Sequence, residues 1–181
     1  MSAPLEIHSY RRPSRGTARL RRILLAGGLA GVLDLAAAIV QGAIRGTAPE
    51  RILQSIASGI LGRDAFDGGG MTVLLGLELH FFIALSAATV YLVAAERWTV
   101  LAERWVLWSG VYGVLVWAVM NLVVLPLSAA PFRFQFSVAA VMVAWTIHVV
   151  CVGWVIGFVA RRSVTAFTTG TQGTQGSGAP R

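Results

Sequence analysis

Apolar residues fall in four long blocks along the chain, at about residues 23–44, 71–95, 106–127 and 137–160, with short polar stretches between them. A run of roughly 18 mostly apolar residues is enough to mark a membrane-spanning helix, and the last three blocks exceed it. The first block reaches roughly 33 Å at ~1.5 Å per residue, which also crosses a hydrocarbon core. It carries Asp34 within it. The pattern predicts an all-α fold, an integral membrane four-helix bundle.

One shorter element interrupts the pattern at about residues 48–61. Thr47-Ala48-Pro49-Glu50 has the S/T-x-x-E form of a capping box, with proline early in the first turn, where its missing N–H costs little. Ile52, Leu53, Ile56 and Ile60 then recur on one helical face, and Arg51, Gln54, Ser55 and Ser58 occupy the rest. This run is too short to span, so it is expected as an extra interfacial helix. Gly62 and Gly68-Gly69-Gly70, with Asp64 and Asp67, end it in a loop. Pro126 is expected to bend or end the third span. Phe132-Arg133-Phe134-Gln135-Phe136 reads as a short loop with aromatic anchors, as do Trp98 and Trp105 in the turn between the second and third spans. Residues 1–20 and 163–181 lack an apolar period and are expected to be disordered tails, which leaves 21–162 as the transmembrane domain. A cleaved export signal is the competing reading of the first block, since Arg21 and Arg22 precede it and Ala36-Ala37-Ala38 offers a cleavage site. Its length and Asp34 argue that it is retained.

Composition agrees with the pattern: 56% of residues are apolar and 13% charged, too few charges to coat a soluble domain. The net charge is +7, and all fifteen basic residues are arginine. Six arginines precede residue 23, and Arg97, Arg104, Arg161, Arg162 and Arg181 bring one side of the bundle to eleven. Arg45, Arg51, Arg63 and Arg133 are the four on the other. Eleven against four places both termini in the cytoplasm. Basic residues that flank apolar blocks orient a membrane protein, and no nucleic-acid partner is expected. The single cysteine, Cys151, excludes an intrachain disulfide.

Ionisable and amide side chains inside spans are costly and are functional candidates by default. Asp34, His80 and His148 fall near mid-bilayer, whereas Gln41, Glu78 and Asn121 fall in the outer half. Residues four apart share a helical face. Gly27, Gly31, Asp34, Ala38 and Gln41 therefore form one stripe, and Gly76, His80, Ala84 and Ala88 another, with small residues that let helices approach. Glu78 points nearly opposite to His80. Asp34, His80 and His148 are expected to converge on one polar site. Such a site suits a bis-histidine haem, a two-histidine, one-carboxylate metal centre, a proton relay for a moving solute, or simple interhelical hydrogen bonding. The cofactor, if any, stays open. No nucleotide, zinc-hydrolase, dithiol or serine-nucleophile motif is present, so no catalytic residues are assigned.

Arg51-Ile52-Leu53-Gln54-Ser55-Ile56-Ala57-Ser58-Gly59, Leu79-His80-Phe81 and Met120-Asn121-Leu122-Val123-Val124-Leu125-Pro126-Leu127-Ser128 resemble a family of small bacterial inner-membrane proteins with about four helices. The resemblance covers about residues 23–160; it implies an inner-membrane location and brings no activity or substrate. The expectation is a multi-pass membrane protein with the lipid bilayer as its first partner, acting as a small transport or permeation component. The alternatives are a haem or metal carrier and a non-catalytic assembly partner working as a homo-oligomer or with another membrane protein.

Overall fold

The computed structural model describes residues 14–133 and 137–162. Regular structure among them is helical throughout: α1 (Arg15–Ile44), α2 (Pro49–Leu61), α3 (Gly69–Arg97), α4 (Val100–Glu103), α5 (Trp105–Leu127) and α6 (Val138–Arg162), with a 3₁₀ turn at Gly62–Phe66. Helices α1, α3, α5 and α6 are each long and apolar enough to cross a bilayer. Leu29, Val40, Phe82, Val90, Leu115 and Val143 face outward from them, an exterior suited to lipid. The chain is a multi-pass membrane protein built as an all-α bundle. The expectations for residues 1–13, 163–181 and Phe134-Gln135-Phe136 lie outside the described residues.

Helix α1 begins well before the apolar block, so residues 15–20, expected in the disordered tail, are helical. The Ser14 side chain accepts the Thr17 N–H and so caps the end. The early turns also hold Arg19 3.5 Å from Glu96 at the end of α3. The far end of α1 changes the expected start of α2. The Thr47 N–H donates to Gly42 O (2.9 Å), so Thr47 closes α1, and no side chain caps the start of the next helix. Ala48 takes the N-cap position without a side-chain bond, Pro49 follows, and Glu50 in the first turn complements the helix dipole.

The inner face of α2 is only partly its apolar stripe. Gln54, Ala57 and Ser58 are buried, Ile52 and Ile56 are half-buried, and Ile60 is exposed. Close approach is the reason. A Cβ on Gly76 of α3 would collide with Leu53 O, so the two backbones nearly touch and only small or hydrogen-bonding side chains fit beside the contact. The Gln54 side-chain amide donates to Thr72 Oγ1 (3.4 Å). Ile52 meanwhile packs on Gly42 of α1, and Gly59 O accepts from Ala129 N (3.0 Å) just past α5. Helix α2 thus lies across one end of the bundle, from α1 over α3 to the end of α5. Gly46 (φ 73°) and Gly62 (φ 62°) turn the chain into and out of it with left-handed backbone that disfavours any side chain.

The hydrophobic core sits toward the opposite end, where Ala26 and Ala30 of α1 meet Ala88, Tyr91, Leu92 and Ala95 of α3 and Val152, Ile156 and Ala160 of α6. The rings of Tyr91 and Tyr112 pack at a tilt with centroids 5.0 Å apart, and their hydroxyls donate to Leu101 O and Ala87 O, tying α3 to α4 and α5. Buried hydroxyls need such partners. Glycines set the tight crossings: Gly27 and Gly31 against Leu85 and Phe81, and Gly113, Gly153 and Gly157 between α5 and α6.

Both α5 and α6 contain a π-helical stretch, Met120–Val124 and His148–Trp154. In α5 the widened turn precedes Pro126, whose ring in a regular α turn would meet the Leu122 carbonyl. Widening relieves that clash, and the helix ends at Leu127, soon after the proline.

Candidate functional site

At the α2 end, a cavity of about 410 Å³ opens between the last turns of α1, the first turns of α2, Phe66 of the 3₁₀ turn and Phe132. Each wall follows from local folding. Gln41 and Arg45 share one side of α1, and the Gly46 turn brings Thr47 and α2 back over them. Arg51 enters from the first turns of α2, where its guanidinium donates through Nη1 to Phe66 O (3.1 Å) and lies 5.5 Å from the centre of the Phe66 ring. Those contacts hold it at the cavity wall. The side chains of Gln41, Arg45 and Thr47 make no hydrogen bond or ion pair among the described residues. The Ser55 hydroxyl is committed to Ile52 O (2.6 Å). Among the described residues two arginines and no acidic side chain line the cavity, and Ala38, Ile52 and both phenylalanines supply its apolar surface.

The α1 wall continues downward. Ala38 lies one helical turn from Asp34, which is one turn from Gly31 on the same face. Asp34 is half-buried and its side chain forms no hydrogen bond among the described residues. His80 reaches across from α3 and its Nε2–H donates to Gly31 O (2.8 Å). A carbonyl only accepts, so this bond places the proton on Nε2 and leaves Nδ1 open. His148 donates through Nδ1 to Ala144 O of its own helix (2.9 Å), which leaves Nε2 open.

The structure therefore brings His80 onto the Asp34 face of α1, and sets each histidine on a main-chain carbonyl. Neither ring is bonded to Asp34 or to the other. Among the described residues no three His, Cys, Asp or Glu side chains gather to hold a metal ion. Gln41 lines the cavity. Glu78 is exposed on the outer surface of α3, and Asn121 donates to Trp117 O (2.9 Å) within the π stretch of α5.

Arg45, Thr47, Arg51, Phe66 and Phe132 were not legible as a site. One signal was present: two of the four arginines on the arginine-poor side flank a single tight connection. No family model, curated protein or solved structure matches the chain. What it shares with small four-span membrane proteins is architecture.

Proposed function

We propose that the protein is a small transport or permeation component of an inner membrane, with its termini cytoplasmic and its α2 end facing outward. The arginine distribution supports the orientation. In this reading, a solute enters the cavity at the α2 end, and Asp34 gains and loses a proton as the solute passes toward the bilayer middle. The observation that carries it is the continuity of one α1 face, from Arg45 and Gln41 in the cavity wall through Ala38 to the half-buried Asp34. Carboxylates in spans serve as such relays because low dielectric makes their protonation responsive to a neighbouring charge.

Orientation is tested by single cysteines in a Cys151→Ala background. An impermeant thiol reagent applied to spheroplasts should label position 67 and spare position 104. Labelling at 104 alone inverts the bundle.

The pathway is tested in proteoliposomes with a trapped pH dye, using monobutyl phosphate and succinate as membrane-impermeant probe anions. The wild-type protein should link uptake of at least one of them to proton movement. Asp34→Asn should reduce that flux to the level of empty liposomes while the protein stays monodisperse. A wild type no faster than empty liposomes, or an Asn variant as fast as wild type, removes the transport reading.

A further inference from the structure

We infer that the cavity at the α2 end is a binding site for a single anionic group, phosphate in the first instance, carried on a small apolar body. The inference deepens the transport reading by naming the class of solute, but binding alone tests it.

Charge is the first argument. Arg45 and Arg51 both line the cavity, and among the described residues no acidic one does. The nearest acidic side chain in sequence, Glu50, forms no salt bridge with either arginine among the described residues. A cation is therefore repelled, and an anion would be met by two guanidinium groups with most of their five donors each uncommitted. Arg51 in particular spends one donor on Phe66 O, a contact that orients the group without neutralising it.

Polar complement is the second. Gln41 and Thr47 supply an amide and a hydroxyl, neither committed to another described residue, beside the two cations. Guanidinium forks with added neutral donors match the several acceptor oxygens of a phosphate group, and charge-assisted hydrogen bonds of this kind are the strong ones. A carboxylate presents fewer oxygens and should bind more weakly to the same donors.

Shape and apolarity are the third. About 410 Å³ is ample for a small organic molecule and far more than a bare inorganic ion fills. Phe66, Phe132, Ile52 and Ala38 provide the remaining surface. An apolar body against those side chains would remove their surface from water, which inorganic phosphate cannot do. Two sources fit this chemistry: a soluble phosphate monoester, or the headgroup and upper chain of an anionic lipid.

The test uses the full chain in phosphatidylcholine nanodiscs and reads its thermal stability and ligand binding by calorimetry. Monobutyl phosphate should bind and raise the melting temperature, inorganic phosphate should bind more weakly, and butanol should do neither. Arg45→Gln and Arg51→Gln should each weaken monobutyl phosphate binding by about tenfold or more, the scale of one charge-assisted bond. Arg63→Gln, outside the cavity, should leave it unchanged. Nanodiscs doped with phosphatidylglycerol separate the sources: lipid retained in native mass spectra of the wild type and lost in both arginine variants, together with competition against monobutyl phosphate, assigns the lipid headgroup. Monobutyl phosphate binding indifferent to phosphatidylglycerol assigns the soluble ester. The inference is overturned if wild type binds neither, if butanol binds as well as its phosphate, or if the arginine variants bind like Arg63→Gln. Binding that survives in Asp34→Asn, with no flux in wild type, would sink transport and keep the site.

Discussion

A valine at position 76 will detach α2 from the bundle while the four spans remain in place. Even the Cβ of that side chain would collide with Leu53 O and lie 2.7 Å from Leu53 C and 3.2 Å from its Cα. All three are main-chain atoms, so no rotamer change relieves the contact and α2 must move as a body. The Gln54 to Thr72 bond goes with it. Overpacking against backbone at a close helix crossing costs of order 3 kcal/mol, which the limited area under a helix of this length does not offset. Hydrogen exchange should show fast exchange at residues 49–61 with the spans still protected, and monobutyl phosphate should no longer stabilise the protein, because Arg51 leaves with α2. Unchanged protection of residues 49–61 would show that α2 is not held at Gly76.

Valine at position 153 is expected to act on the whole bundle instead. Its Cβ would strike Ser109 O and stand 3.0 Å from Ser109 C and 3.2 Å from Gly113 N, at the point where α5 and α6 are closest. Ser109 is fully buried and its hydroxyl is bonded to Trp105 O. The facing position is equally tight, since a Cβ on Gly113 would lie 2.5 Å from His148 O. Neither helix can yield without opening the core at Val152 and Ile156. The loss is put at about 3 kcal/mol or more, seen as aggregation in detergent and a lower melting temperature. Gly28→Ala is the control, because a Cβ there meets nothing within 4 Å. A Gly153→Val protein that melts with the control would disprove the close crossing.

Much of the fold was legible because its main determinant is one-dimensional: a long apolar run has to become a spanning helix, whatever its neighbours do. The span of α2 was legible for a similar reason, with Pro49 and Gly62 punctuating an apolar period. Its inner face was not. The period groups Ile52, Ile56 and Ile60 on one face without saying whether it meets lipid or protein, whereas close approach to Gly76 buries Ala57 and Ser58, and that preference belongs to the partner helix. Thr47 misled for a neighbouring reason, because the end of α1 claimed its backbone before α2 began.

The candidate site was less legible. Asp34, His80 and His148 stood out because charge in a span is rare, but the histidines are bonded to Gly31 O and Ala144 O. Every residue offers a carbonyl, so composition cannot reveal that kind of partner. In the sequence Arg45 and Arg51 read as topology charges, and Arg51 also as part of the polar face of α2. Their meeting across a cavity depends on the turn at Gly46, a three-dimensional fact with no periodic trace.

That turn has a counterpart at Gly62, and between them α2 rests on Gly76. The spacing of the two cavity charges is thus governed at three positions that have no side chain and do not line the cavity. In a saturation library selected on anion binding, such positions would behave as a second set of intolerant sites, distinct from the arginines in how they fail. A change at Arg51 removes a charge and leaves the cleft; a change at Gly46, Gly62 or Gly76 keeps both charges and misplaces one. The two kinds of lesion are separable by revertants, since compensating substitutions for the second kind would arise in helix contacts far from any ligand.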